Sequence, residues 1–365
     1  MFVGHEFLAF ALAGWGARLT GADRGTALRL GGIAALAALL PDLDVVYASA
    51  TYAVAVWAGA PFGWEAFWGV ANGVHRVVTH PLPVGVVAAL VFTAAAALVR
   101  GDAQAVRGHA ASSRLPRVHA RNALGTVFVA LIAAVGIAAL LLVFWGGVSQ
   151  TAATVAAAYL SVVGVAGALV SRRANATAAS LAAAAGVGFL THPFGDIFLA
   201  APPPLLSPFG PPLLTERISL ATDPTVEILA ILFVELATVW LGIAVASRVG
   251  AGEFVGIDQG LSGLRDVIGI RSAAGVAYGA AVFVLPRPTI TDAHLLGFTI
   301  VPLAVAVGLW AGRSNDRPPS APGPSSPAPL GVGRRRAGAT IGALTGLTAL
   351  TLAALAYLVV YLLSS

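Results

Sequence analysis

The stretch ALGTVFVALIAAVGIAALLLVFW, residues 123–145, runs for 23 residues without a charge. As an α-helix it covers about 34 Å, enough to cross the roughly 30 Å hydrocarbon core of a bilayer. This length decides the fold, because a core helix of a soluble domain has a polar face and this segment has none. Working outward, further apolar runs occupy 2–17, 27–41, 82–99, 148–170, 176–190, 225–247, 272–285, 295–311 and 337–362, and those at 27–41, 176–190 and 272–285 are short. The composition agrees: 58% of residues are hydrophobic and 10% charged, against about a quarter charged in soluble domains. The chain therefore reads as an all-α, polytopic integral membrane protein of roughly 8–10 transmembrane or half-spanning helices. The first run lacks a basic leader and is followed by Arg18, so it reads as part of the mature chain rather than a cleaved signal.

Between 45 and 74 an Ala/Val stretch leads into an aromatic cluster, Trp57, Phe62, Trp64, Phe67 and Trp68, which suits a helix pair at the membrane interface. Residues 312–336 are rich in Pro, Ser and Arg and read as a linker. The expected organisation is a membrane-embedded domain over 1–215, additional transmembrane helices over 216–311, that linker, and a C-terminal transmembrane helix over 337–365.

All 21 basic residues are arginine and there is no cysteine. Thiolate metal sites and disulfides are thereby excluded, and a metal has to be held by nitrogen and oxygen ligands. The net charge of +5 does not point to nucleic acid, because most of the arginines sit in short loops at 18–29, 100–121, 172–173, 248 and 313–336, where they act as topology signals that stay cytoplasmic. With those loops inside, His5, Asp42, Asp44, His75, His80, His192 and Asp196 all fall at helix ends on the outer side of a multi-pass plasma-membrane protein.

Those seven residues come in four groups. Gly4-His5-Glu6 opens an apolar helix, where an imidazole is either partnered or turned to water. Leu40-Pro41-Asp42-Leu43-Asp44 sets two carboxylates after a helix-stopping proline, either as a solvated helix end or as a grip for one or two cations. His75-Arg76-Val77-Val78-Thr79-His80 places two imidazoles across a helix end, with Arg76 either a headgroup anchor or a fork for an anionic oxygen. Thr191-His192-Pro193-Phe194-Gly195-Asp196 puts His and Asp four apart on one helical face. Their common ligand type and common side point to one site. Glu6, Glu227, Asp292 and His294 are additional candidates, and Glu235 suits an interhelical hydrogen bond.

At these motifs the sequence resembles the membrane-bound metal-dependent hydrolases that include the LexA-regulated inner-membrane proteins of bacteria. The resemblance covers about residues 1–215 and extends to Pro202-Pro203-Pro204-Leu205-Leu206-Ser207-Pro208-Phe209-Gly210. Val77 and Pro81 depart from the family pattern, which usually has Gly and Ser there. The family is distantly similar to zinc-dependent phospholipase C and single-strand nucleases. That similarity implies an all-helical hydrolase of phosphoesters, lipid or lipid-linked, with two or three divalent ions, zinc before manganese or iron. It implies His5, Asp42, Asp44, His75, His80, His192 and Asp196 as ligands and Arg76 as the catalytic phosphoryl clamp. The rival from composition is a divalent-cation transporter, which would place ionisable residues at the bilayer midplane in a repeated architecture. A non-catalytic protein that keeps the motifs is the third.

Overall fold

The computed structural model describes residues 3–71, 76–108, 116–172, 176–198, 201–250, 269–315 and 331–364. The described residues are helical or irregular and include no strand. Among the described residues eight helical stretches are long and apolar enough to cross a membrane, with Arg24–Trp57 counted as one, and the chain divides into two compact units, Met1–Ile218 and Ser219–Ser365.

The first unit contains α1 (Gly4–Leu19), α2 (Arg24–Leu39), α3 (Asp44–Trp57), α4 (Trp64–Ala71), α5 (Leu82–Gly108), α6 (Pro116–Gly147), α7 (Gln150–Ser171) and α8 (Ala178–Gly195). Side chains start several of them: Asp23 accepts from the Thr26 N–H, Ser149 from Ala152 and Thr177 from Ser180, which satisfies amides a helix start leaves open. Proline then stops α2. Pro41 opens a 3-10 turn, Pro41–Leu43, that redirects the chain into α3. Helices α1, α2 and α8 pack on one another, and α5 joins α8 to α6 and α7.

Contacts between these helices rest on small residues. A Cβ at Gly188 of α8 would lie 2.3 Å from the Ala34 carbonyl oxygen of α2, so that crossing admits glycine alone. Helix α6, which carries the deciding stretch, is the least buried of the spans at 17%. Leu124, Val127, Leu131, Val135 and Leu142 are exposed along it, as expected where lipid is the solvent.

The second unit holds α9 (Pro224–Val249), a 3-10 helix (Ile270–Phe283), α10 (His294–Asn315) and α11 (Gly331–Ser364). The 272–285 run is too short to span as an α-helix, which would reach about 21 Å. Wound as a 3-10 helix of 14 residues, it reaches about 28 Å, close to the hydrocarbon thickness. Gly275 seats it on α11, where a Cβ would meet the Ala349 carbonyl oxygen at 2.1 Å. Helix α11 begins at Gly331, so the end of the 312–336 stretch is helical rather than linker.

Candidate metal centre

Four helix ends of the first unit converge. His5 lies in the first turn of α1, Asp42 in the turn that follows α2, His80 in the turn before α5 and His192 in the last turn of α8, with Asp196 opening the next 3-10 turn. Asp42, His80, His192 and Asp196 each offer a ligand atom, all within 4.8 Å of one another. His80 Nε2 stands 3.0 Å from His192 Nε2, 3.1 Å from Asp196 Oδ2 and 3.5 Å from Asp42 Oδ1. The His192 Nε2 to Asp42 Oδ1 separation is also 3.5 Å.

These separations fit a small ion. Bonds of about 2.0–2.1 Å to a tetrahedral centre set neighbouring ligands about 3.3–3.4 Å apart. His80, His192 and Asp196 are buried to 2% exposure or less, a costly burial for two imidazoles and a carboxylate gathered so closely, with the part-buried Asp42 beside them, unless positive charge joins them. Asp42, Asp44 and Asp196 against Arg76 leave two negative charges, which one divalent ion balances. The group is thus one that can hold a metal ion.

Second-layer residues orient His80. Thr79 Oγ1 has one hydrogen, donated to Asp44 Oδ2 at 2.7 Å. The 2.8 Å contact of the same oxygen with His80 Nδ1 must then be a donation from Nδ1–H, which leaves the Nε2 lone pair for a ligand role. Burial alone would lower the His80 pKa. Hydrogen bonds to Asp196 and Asp42, with the charge of Asp44 nearby, overcome it and raise the value to about 9, so a proton holds the ring when no metal does.

Arg76 has a left-handed backbone, φ +73°, a conformation that costs a non-glycine residue about 1–3 kcal/mol and collects at functional sites. Its N–H donates to Asp44 Oδ2 at 3.2 Å and its Nε lies 3.3 Å from Asp196 Oδ2. Its buried NH1 makes no hydrogen bond to the described residues.

Not every expected residue sits among the four. His5 is adjacent, its ring centroid 4.3 Å from that of His192 and its Nε2 3.6 Å from Asp196 Oδ1. Asp44 acts on His80 through Thr79, and half-buried Glu6 follows His5 in α1. His75 lies outside the described residues. Glu227, Asp292 and His294 belong to the second unit. There Glu227 Oε2 accepts from the Leu220 and Ala221 N–H groups, Asp292 accepts from Thr289 Oγ1, and His294 packs edge-on to Phe298. Sequence reasoning passed over Thr79 as an orienting residue, although a hydroxyl beside a candidate ligand histidine is a readable sign. Leu205, in the Pro-rich stretch, accepts from the Leu82 N–H at 2.9 Å and so ties that stretch to the turn carrying His80.

The family's profile, YdjM inner membrane protein, matches residues 1–257. The chain belongs to that family. The match runs past the motif region through α9 and accords with the LexA-regulated inner-membrane type and with a multi-pass membrane protein. No curated protein and no solved structure matches the chain significantly.

Proposed function

We propose that this YdjM-family chain is a membrane-bound metal-dependent hydrolase that cleaves phosphoesters, lipid or lipid-linked, with metal-activated water. The observation that carries the reading is the four-donor group set beside a half-buried Arg76 whose Nε and NH1 atoms are buried. Zinc suits two imidazoles and two carboxylates, with manganese and iron next. One ion takes the four-donor group. His5, 3.6 Å from Asp196 Oδ1, would be a donor for a second ion, and Asp44 and His75 are the further donors that the resemblance implies.

A divalent ion held there supplies a water whose pKa falls to near neutrality. The chain's own groups do the rest. Arg76 NH1 holds a phosphoryl oxygen and takes up charge as the transition state forms. Thr79 and Asp44 keep the His80 ring in register. The arginine loops set this end of the bundle on the extracytoplasmic side, at headgroup depth, which favours a lipid phosphate as substrate.

Elemental analysis of the detergent-purified protein tests this reading. Two or more zinc, manganese or iron ions per chain are expected, lost in a His80→Ala/His192→Ala variant that still elutes as folded protein. An Arg76→Gln variant that keeps its metal is expected to lose phosphodiester turnover. No stoichiometric metal after reconstitution with zinc or manganese would sink the hydrolase. Metal-dependent cation uptake into vesicles without turnover would favour the transporter instead.

A further inference from the structure

Between Asp44 and Arg76 the chain makes an excursion. Helix α3 reaches about 21 Å from its start at Asp44, and α4 returns. The 20 residues from Val45 to Trp64 carry no charge. Trp57 is 94% and Phe62 88% exposed, and Val46 and Val54 are exposed to 64% and 70%. Exposure on α3 takes in 45, 46, 47, 49, 50, 53, 54 and 57, more than half the helix circumference and wider than one docked partner covers. The helix packs on α4 and on the 3-10 turn at its root.

The excursion is nonetheless built. Tyr52 OH accepts from the Gly63 N–H at 2.7 Å and donates to the Gly63 carbonyl, and the Tyr52 ring meets Phe67 edge-on at 5.5 Å. At the root, Asp44 takes hydrogen bonds from Thr79 and from the Arg76 N–H, so a side chain of the metal centre closes the base of the hairpin. Exposed apolar surface of this extent marks a contact site. The root lies where four helix ends of a membrane-spanning bundle meet, hence at a membrane boundary. A hairpin tipped with Trp and Phe at that level, whose one charge beyond its Asp44 root is the exposed Glu65 at the start of α4, matches the interfacial zone, where aromatic rings anchor and charged groups reach water.

We propose that the α3–α4 hairpin docks into the interfacial zone of the lipid bilayer, with Trp57 and Phe62 as anchors, at the face of the bundle that carries the metal centre. Resting on the hydrolase reading, a second consequence follows. The substrate is a bilayer phospholipid, which reaches the centre along the hairpin without leaving the membrane.

The absence of cysteine makes the test direct. Trp57→Cys, Phe62→Cys and, as a water-side control, Thr20→Cys are made in the full chain, spin-labelled and reconstituted in phosphatidylethanolamine/phosphatidylglycerol vesicles. Labels at 57 and 62 are expected to collide freely with oxygen and several-fold less than the control with a water-soluble nickel chelate. Nickel collision equal to the control would place the tip in water and overturn docking. Shielding from both reagents would mean cover by protein, such as a second copy, and overturn it equally. Accessibility is read without turnover, so docking stands or falls apart from hydrolysis. For the substrate, a Trp57→Asp/Phe62→Asp variant is expected to lose hydrolysis of vesicle phospholipid several-fold while keeping that of a soluble short-chain phosphodiester. Equal loss on both, or no loss on vesicles, would overturn the lipid route.

Discussion

The two units bury charge in opposite ways. In the second, Glu227 is 2% exposed, yet its Oε2 takes two backbone N–H groups, so the chain itself satisfies the carboxylate. In the first, His80 lies 3.0–3.5 Å from Asp42, His192 and Asp196, and His192 Nδ1 and His5 Nε2 are buried without a hydrogen bond. A polar group pinned by backbone amides is a structural device, whereas polar groups pointed at each other call for something between them. Equal burial therefore carries different meanings in the two halves.

The sharpest way to break this contrast is at the helix crossings. Gly188→Leu drives α8 off α2 and parts His192 from Asp42, so bound metal is expected to vanish in elemental analysis. Gly275→Leu, an equally tight site in the second unit, is expected to leave metal content intact. Equal metal loss from both would show that the units are not separable in this way. Next, Asp44→Asn and Thr79→Val remove the partners that orient His80 and should weaken zinc binding about 10–100-fold in competition titrations, as outer-shell losses do. Unchanged affinity would remove Thr79 from the centre.

pH gives the third. His80 is raised from 6.5 to about 9, so in metal-free protein its stabilising proton is fully held below 6.5 and lost as pH rises through about 9. The melting temperature of the apo protein should fall across that window. Zinc affinity should rise across it, because the metal replaces the proton. Parallel trends would contradict a shared site. The smallest effect is expected for Glu227→Gln: about 1–3 kcal/mol of stability, the cost of disturbing a buried acceptor, with metal content unchanged. Metal loss there would erase the contrast.

Much of this was legible in the sequence, and particular residues show why. His192 and Asp196, four apart, had to share a helical face, and Pro41 had to end α2 beside Asp42 and Asp44. Such relations are local, fixed by helical pitch and by proline's missing amide. Glu227 and His294 stood in the sequence as additional candidates, since a buried acid pinned by amides and one aimed at a metal have the same letter. The 272–285 run looked too short to span, because length in residues does not state the rise per residue.

The sequence by itself determined a membrane-spanning helical protein, through charge-free runs long enough for a bilayer, and it supplied the His and Asp donors. Tertiary structure alone decided which donors meet, because His80 and His192 are 112 positions apart and converge only where α5 packs on α8, at Gly85 against the Phe189 carbonyl. It also decided that Thr79 and Asp44 set the imidazole tautomer, and that the α3–α4 hairpin exposes its apolar side chains. Those outcomes depend on contacts between distant segments, which hydrophobic pattern and spacing do not encode.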